Sequence, residues 1–177
     1  ERVLHHALMA HAGLVLDRKL VDDTFACRVG KGTLAAVVRA QVHMRRFDWY
    51  VKTDIASYFA SINHAILHSL LARSFSDAGV LRLMDNIICA YETRKGVGLP
   101  IGALTSQHFA NFYLGTLDRM LLADRRVRGM VRYMDDIVWW TDRRQDAIDT
   151  LEEAEALVQE QLALQMKPGT VIRRSAR

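Results

Sequence analysis

Two short apolar segments joined by a pair of aspartates constrain the fold of this chain more than any other feature. The two segments are residues 130–132 and 137–140, and Tyr133-Met134-Asp135-Asp136 lies between them. Together they are rich in β-branched and aromatic side chains, which favour strands. Neighbouring side chains on a straight strand point to opposite faces, so only a turn lets both carboxylates address one place. We therefore expect a β-hairpin with Asp135 and Asp136 at its turn.

The two adjacent carboxylates indicate a metal site. Ionised carboxylates repel each other, and in a partly dry setting a cation is needed to keep both charged. Mg²⁺ prefers carboxylate and phosphate oxygens, so it is the expected ion. Aspartate is also common in surface turns, and a solvated polar turn is the alternative interpretation of the same residues.

The size and composition indicate one folded domain, or one domain with a small lobe. The chain has 177 residues, of which 50% are hydrophobic and 25% charged, as is ordinary for a globular protein with a sizeable core. Its 24 lysines and arginines exceed its 20 acidic residues, for a net charge of +4. This balance mildly favours a polyanionic partner such as nucleic acid.

The cysteines and histidines show no metal-binding spacing. Cys27 and Cys89 are expected to be reduced core thiols of a cytoplasmic protein, and we interpret His64 and His108 as structural. No apolar run could cross a membrane, and no signal peptide is visible. Because the first residue is Glu1, we interpret the sequence as part of a longer protein.

The spacing of apolar residues predicts an alternation of helices and strands. A strand is expected over residues 49–55, where Tyr50, Lys52 and Asp54 share one face. Asn63 is a candidate helix cap. Helices are predicted over residues 1–20, 34–46, a segment after Asn63, about 77–92, a long stretch from Ser106, and 143–163, and a last strand is predicted over 164–172.

The order of these elements is that of a split β-α-β-β-α-β arrangement. The chain is predicted to be an α+β protein whose antiparallel sheet is backed by helices on one face, which leaves the other face free to carry chemistry. The first strand can lie beside the hairpin, which brings Asp54 to Asp135 and Asp136. Three carboxylates around one point form a site for two magnesium ions, which activate a hydroxyl and hold a triphosphate.

Three longer segments resemble the ordered motifs of a known enzyme family. The segments are similar to motifs of bacterial reverse transcriptases, and they are residues 51–62, 98–114 and 133–136. The first of them contains Val-Lys-Thr-Asp-Ile-Ala-Ser-Tyr-Phe. The match spans essentially the whole chain. It is most like the enzymes of diversity-generating retroelements, which are related to those of group II introns. The resemblance implies a polymerase palm, with fingers-like regions at about 1–48 and 75–100 and no thumb in this chain.

The resemblance assigns the catalytic metal ligands residue by residue. Asp54, Asp135 and Asp136 are implied to be catalytic and to bind two Mg²⁺ ions, which Mn²⁺ can replace, and the backbone carbonyl of Ile55 adds a further contact. Lys167 is a candidate for a positive charge near the leaving pyrophosphate, or else a surface lysine. The family usually has a lysine directly before a threonine at this place, where this chain has a glycine.

The resemblance also implies residues that bind the incoming nucleotide. Phe59 matches a ring that leaves no room for a 2′-hydroxyl and so selects deoxynucleotides, while a plain core aromatic is the alternative. Arg28 matches an arginine that binds the triphosphate through its planar guanidinium, and Lys31 adds a point charge. A P-loop is excluded at residues 30–33 because its glycine spacing is absent. A solvated basic loop remains the alternative.

The segment around Gly102 departs from most reverse transcriptases. Most carry a glutamine before this glycine and Ser-Pro after it, whereas this chain has Ile101 and then Ser106-Gln107. Ile101, Gly102 and Gln107 resemble the form in diversity-generating retroelements, whose polymerases copy RNA with errors at template adenines. An isoleucine keeps the packing but loses the hydrogen bonds of an amide, so discrimination is expected to relax. Alternatively, Ile101 packs under the loop without an effect on fidelity.

The expected function is RNA-directed DNA polymerisation, in which cDNA is made from a primed RNA template and deoxynucleoside triphosphates. The resemblance favours an error-prone retroelement enzyme of the bacterial or phage-infected cytoplasm, working with an accessory protein and without a membrane. Group II intron-like, CRISPR-associated and phage-defence polymerases are alternatives within the class. A catalytically dead RNA-binding remnant, or a protein-binding scaffold, is the alternative outside it.

Overall fold

The computed structural model describes residues 2–176, and within them the chain forms eight helices and four strands. Most predicted elements are confirmed near their expected bounds. In chain order they are α1 Arg2–Lys19, α2 Thr33–Arg46, β1 Trp49–Thr53, α3 Tyr58–Ser61, α4 His64–Ala72, α5 Ala78–Cys89, α6 Leu104–Tyr113, α7 Gly115–Ala123, β2 Gly129–Tyr133, β3 Asp136–Thr141, α8 Arg144–Leu162 and β4 Val171–Arg174.

The four strands form one antiparallel sheet in the order β2-β3-β1-β4. The first strand therefore lies next to the hairpin, as predicted. This is the split β-α-β-β-α-β arrangement, and the α+β fold class is confirmed. Val51 and Thr53 of β1 are buried while Lys52 between them is exposed, which is the alternation expected of a strand with one solvated face.

The described chain divides into two compact units. The helical unit comprises residues 2–20 and 57–113 and contains α1 and α3 to α6. The sheet unit comprises residues 21–56 and 114–176 and contains all four strands with α2, α7 and α8. The assignment of about 1–48 and 75–100 to fingers stays a prediction.

Helices cover both faces of the sheet. On one face Trp139 is fully buried, and its Nε1 donates a hydrogen bond to Thr150 Oγ1 of α8 at 3.0 Å. On the other face Trp140 is fully buried in a cluster with Phe25 and with Ala36 of α2. Adjacent residues of a strand point to opposite faces, so these tryptophans centre two separate cores. The prediction of helices behind the sheet holds for α8, but α2 also covers part of the face expected to be open.

The helical unit is built on capped helices. The Asn63 side chain accepts a hydrogen bond from a backbone N–H of the first turn of α4 at 3.1 Å, so Asn63 is the N-cap as predicted. Asp77 caps α5 by accepting from two backbone N–H groups. His64 is buried with Nε2 2.7 Å from the carbonyl oxygen of Gly98, which supports its predicted structural role.

Two predicted elements differ from the structure. The long helix expected from Ser106 is two helices, α6 and α7, and the interruption directly precedes Gly115, because glycine weakens a helix interior. The last strand begins at Val171 rather than at residue 164. Pro168 has no N–H to donate to a ladder and Gly169 has a φ of 101°, so the chain turns here before the strand starts.

The cysteines also differ from expectation. Both are exposed, so the prediction of core thiols is wrong. Cys27 has a φ of 54° in the surface loop before α2, and Cys89 is the final residue of α5, where the helix leaves the core formed by its buried Met84 and Ile88. Among the helices of residues 2–176, none is both long and apolar enough to cross a membrane.

Candidate active site

The sheet brings Asp54 next to the acidic turn. In the ladder between β1 and β3, Thr53 is opposite Ile137, so Asp54, the residue after β1, lies beside Asp136, the first residue of β3. On the other side of β3, Asp136 pairs with Tyr133 at the end of β2. The predicted approach of the first strand's aspartate to the hairpin is confirmed.

Met134 determines the shape of the turn. Its φ is 57°, in the left-handed region that costs a non-glycine residue about 1–2 kcal/mol. Strained residues persist where surrounding contacts hold them, and they concentrate at functional sites. The strain allows the chain to reverse within two residues, and it leaves Asp135 half-buried and Asp136 exposed.

The three carboxylates are crowded. Burial raises the pKa of Asp135, and the negative charges of Asp54 and Asp136 raise it further. Oδ1 of Asp54 is buried, and within residues 2–176 no hydrogen-bond donor contacts it. A buried carboxylate oxygen without a donor is costly, so this end of the sheet is short of positive charge.

Lys167 supplies part of that charge. Its Nζ forms an ion pair with Oδ2 of Asp54, and this contact raises the pKa of Lys167. The chain after α8 runs alongside the end of β1, where Lys167 N donates to Asp54 O and Ala56 N donates to Gln165 O, both at 2.8 Å. This short backbone pairing brings together two side chains that are 113 positions apart.

The donor set of Asp54 and the acidic turn fits a divalent cation. A cavity of about 300 Å³ opens beside β1 and is lined by Asp54, Asp136 and Lys167. In the described part of the chain no three His, Cys, Asp or Glu side chains are placed to share a metal ion, and Oδ2 of Asp54 is occupied by Lys167. Carboxylate oxygens are nevertheless the ligands of hard cations such as Mg²⁺, and the buried Oδ1 of Asp54 lacks the partner that such an ion provides.

The predicted phosphate-binding cations lie in the loop before α2. Arg28 Nη1 donates to two carbonyl oxygens of its own loop, at 2.6 and 3.0 Å. Lys31 Nζ pairs with Asp22 at 2.6 Å and lies 5.0 Å from the ring centroid of Phe25. Both cations therefore stabilise this loop, and their binding of a triphosphate stays a prediction.

Other predicted site residues belong to the helical unit. Phe59, in α3, is half-buried, and its carbonyl oxygen accepts a hydrogen bond from Leu99 N at 2.7 Å. Gly102 has a φ of 92° and lines a cavity of about 420 Å³ together with Arg2. Gln107 is half-buried on α6. The roles of Phe59, Gly102 and Gln107 rest on the resemblance and stay predictions.

Ile101 differs from its expected packing. The side chain is 86% exposed, so it neither preserves a packed position nor lies under its loop, and both of those predictions are wrong. The reason is local, because Ile101 and Gly102 form a turn on the surface just before α6. The effect of Ile101 on copying stays a prediction.

A buried ion pair next to the turn was missed by the sequence-based predictions. Arg132 in β2 and Asp118 in α7 are both fully buried and are joined by two hydrogen bonds, Nη2 to Oδ2 at 2.6 Å and Nε to Oδ1 at 2.7 Å. The sequence did contain a signal: an arginine inside an apolar strand and an aspartate between the buried Leu117 and Leu121. Charged side chains are almost never fully buried unless paired, so each one predicts a partner.

The fold and the family match together give the class of this protein. The four-stranded antiparallel sheet with its helices matches the fold of a reverse transcriptase-like polymerase. Residues 1–168 match the reverse transcriptase (RNA-dependent DNA polymerase) family. The chain belongs to this family.

Individual relatives are distant in sequence, and two solved structures share the fold. The COX1/OXI3 intron 2 protein of Saccharomyces cerevisiae is 21% identical over 128 residues, which cover 68% of this chain and 15% of that protein. Telomerase of Candida tropicalis truncated from its C-terminal domain has a TM-score of 0.71 at 12% identity, covering 97% of this chain and 41% of the telomerase. Telomerase of Candida albicans in complex with the TWJ fragment of telomeric RNA has a TM-score of 0.62 at 11% identity, covering 99% and 34%. The chain thus spans less than half the length of each of these relatives.

Proposed function

We propose that this chain is the catalytic part of an enzyme that synthesises cDNA on an RNA template by metal-dependent nucleotidyl transfer. The observation that carries the proposal is the position of Asp54, which the β1–β3 register brings to the acidic turn with a buried oxygen that no donor of the described chain contacts. A plain polar turn does not explain a third carboxylate from a distant strand. A non-catalytic RNA-binding remnant also has no need of three converging carboxylates.

In this proposal the carboxylates of Asp54, Asp135 and Asp136, with the carbonyl oxygen of Ile55, hold Mg²⁺, for which Mn²⁺ substitutes. When bound, two such ions would supply the positive charge that activates a primer 3′-hydroxyl and stabilises the leaving phosphate oxygens. Asp135 must be ionised to act as a ligand. Because burial and its acidic neighbours raise the pKa of Asp135, a cation at this site favours the ionised form.

Lys167 is proposed to change partners. It neutralises Asp54 in the structure, and a divalent ion held by the same carboxylate would take over that neutralisation. The lysine side chain is half exposed and carries a compact charge on a flexible stem. Once released, Lys167 is suited to neutralise charge that develops on the departing pyrophosphate.

Recognition of the substrates is assigned to residues outside the carboxylate cluster. Phe59 is proposed to exclude a 2′-hydroxyl and so select deoxynucleoside triphosphates. Arg28 and Lys31 are proposed to exchange their loop contacts for triphosphate oxygens, which suit a planar guanidinium. The second macromolecular partner is a primed RNA template, and the presence of telomeric RNA in the Candida albicans telomerase structure supports an RNA partner.

Two kinds of reverse transcriptase are supported by specific observations. Ile101, Gly102 and Gln107 favour the error-prone enzyme of a bacterial or phage diversity-generating retroelement with an accessory protein, since the exposed Ile101 offers no amide to a nucleotide or template. The similarity to the COX1/OXI3 intron 2 protein favours an intron-encoded enzyme instead.

Primer extension tests the proposal. The full-length protein is incubated with a defined RNA template, a DNA primer, deoxynucleoside triphosphates and Mg²⁺, and the cDNA is sequenced. We expect product from the wild type, none from Asp135→Ala, and product from the matched control Asp142→Ala, whose exposed aspartate follows the opposite end of β3.

Absence of product from the wild type, or undiminished product from Asp135→Ala, contradicts the proposed function. The error spectrum separates the two kinds of enzyme. Errors concentrated at template adenines support the retroelement enzyme, and accurate copying at adenines excludes it.

A further inference from the structure

The buried pair Arg132–Asp118 has a contact that a purely structural ion pair does not need. After its two bonds to Asp118, the guanidinium of Arg132 has a further donor, Nη1, and this donates to the carbonyl oxygen of Met134 at 2.8 Å. Met134 is the residue in the left-handed conformation, directly before Asp135. The arginine therefore holds the backbone of the acidic turn at its strained point.

The same pair also fixes the start of the loop before α2. Thr24 Oγ1 donates to Oδ2 of Asp118 at 3.2 Å. The backbone of Arg132 is bonded to this loop on both sides, because its N–H donates to Asp23 O and its carbonyl accepts from Phe25 N, both at 2.9 Å. One ion pair thus connects α7, the loop that carries the predicted phosphate-binding cations, and the acidic turn.

Stability alone does not account for such a pair. Removing two charges from water is costly, and replacing a buried ion pair by apolar side chains of similar volume is often neutral or stabilising. What apolar side chains cannot provide is a directed donor for the Met134 carbonyl. The geometric role is therefore the one that requires these two residues.

We propose that Arg132 and Asp118 are positioning residues, which hold the Met134 backbone so that the Asp135 and Asp136 carboxylates are directed into the metal site. The proposal rests on the proposed function for the use of those carboxylates. Arg132 acts through the turn and touches no reacting group. Partners of metal ligands typically change metal affinity or activity by about 10- to 100-fold when they are removed.

The decisive variant is the double substitution Arg132→Met with Asp118→Leu, which replaces the charges but keeps an apolar filling. Three quantities are measured in the full-length protein: the thermal unfolding midpoint, amide hydrogen exchange of the peptide that contains the turn, and the dissociation constant of Mn²⁺ by electron paramagnetic resonance. We expect a midpoint near that of the wild type, faster exchange in the turn, and Mn²⁺ binding about 10- to 100-fold weaker.

Two further variants make the result specific. Arg132→Lys keeps the charge but lacks the planar guanidinium that bonds to Asp118 and to the Met134 carbonyl at the same time. This variant should show the same faster amide hydrogen exchange in the turn. The control is Arg126→Met with Asp124→Leu, an arginine–carboxylate pair of the same unit whose arginine contacts Glu153 of α8. This control should leave exchange in the turn and Mn²⁺ binding unchanged.

The outcomes separate this proposal from the proposed function. A folded double variant with wild-type exchange in the turn and wild-type Mn²⁺ affinity overturns the positioning role. Unfolding of every Arg132 variant, including Arg132→Lys, assigns the pair to stability and overturns it as well. A wild type that extends no primer, while its turn still loosens in the double variant, contradicts the proposed function and supports the positioning role.

Discussion

Two ion pairs of the sheet unit differ sharply in exposure. In Asp54–Lys167 the side chains are 28% and 51% exposed, whereas in Asp118–Arg132 both are fully buried. A lysine is a flexible point charge that another cation can replace, while the planar fork of an arginine matches a carboxylate with two bonds. The comparison indicates which carboxylate is available to a ligand. Asp54 can exchange its partner, and Asp118 cannot.

The largest expected difference between the pairs is in stability. Asp118→Ala leaves the charge of Arg132 buried without an anion, and we expect the free energy of unfolding to fall by about 3–5 kcal/mol. Urea denaturation measures it. The matched variant is Asp54→Ala, where Lys167 is left in solvent and little stability should be lost. Exposed ion pairs typically contribute less than about 1 kcal/mol. If Asp118→Ala lowers the free energy of unfolding by no more than that, the two pairs do not differ in stability.

A second difference concerns competition with metal. Lys167→Met removes the cation that occupies Asp54, so Mn²⁺ should bind more tightly, with little change in the thermal unfolding midpoint. Primer extension should become slower, because the charge proposed to meet the pyrophosphate is lost. Lys52→Met is the control, since Lys52 is an exposed lysine that lines the same cavity. Weaker Mn²⁺ binding by Lys167→Met would show that the lysine assists the metal rather than competing with it.

His43 extends the comparison to a half-buried base that lies near the carboxylate of Asp23. Neither of its ring nitrogens has a hydrogen-bond partner within residues 2–176, and its ring lies 5.1 Å from that of Trp140. Burial lowers the pKa of His43 from its ordinary value of 6.5. Because the folded-state pKa of His43 is below 6.5, the unfolded chain binds the proton more readily than the folded chain once the pH falls below about 6.5. The free energy of unfolding should therefore fall with the pH below 6.5, and His43 should not change it at higher pH.

The variant His43→Leu tests this pH dependence. Between pH 7.5 and pH 5.5 the wild type should lose more stability than the variant, as measured by urea denaturation at both values. Equal losses would show that the nearby Asp23 carboxylate offsets the cost of protonating His43 in the folded state.

The smallest expected effect on stability is at Ile101, which is exposed and lies outside both pairs. Ile101→Gln should leave the unfolding midpoint unchanged. It should also reduce misincorporation at template adenines, because the amide can hydrogen-bond to the nucleotide or template. Sequencing of cDNA made by the two proteins measures the change, and an identical error spectrum contradicts a role of residue 101 in fidelity.

The parts of the fold that local forces determine could be predicted from the sequence. The hairpin follows from two strand-forming segments around Asp135 and Asp136, and the cap at Asn63 follows from its side chain. The order of the strands follows from the order of the elements along the chain, because in the split β-α-β-β-α-β arrangement the first strand lies between the third and the fourth. The position of Asp54 beside the turn was predictable for that reason.

The partners of buried and half-buried charges could not be predicted. Lys167 reaches Asp54 because residues 165–167 pair with the backbone after β1. The sequence of these three residues does not predict a strand, since Pro168 and Gly169 follow directly and favour a turn. Arg132 meets Asp118 through the packing of α7 on β2, which no local periodicity specifies. Such contacts depend on how elements pack, and the sequence shows only that a charge lies among apolar neighbours.

The placement of the tryptophans gives the two compact units different optical signals. The chain has 3 tryptophans, and Trp49, Trp139 and Trp140 all belong to β1 or β3. Tryptophan fluorescence therefore follows the unfolding of the sheet unit, while far-ultraviolet circular dichroism follows the helices of both units. Coincident curves would show one cooperative transition, and separated curves would show that the units unfold independently.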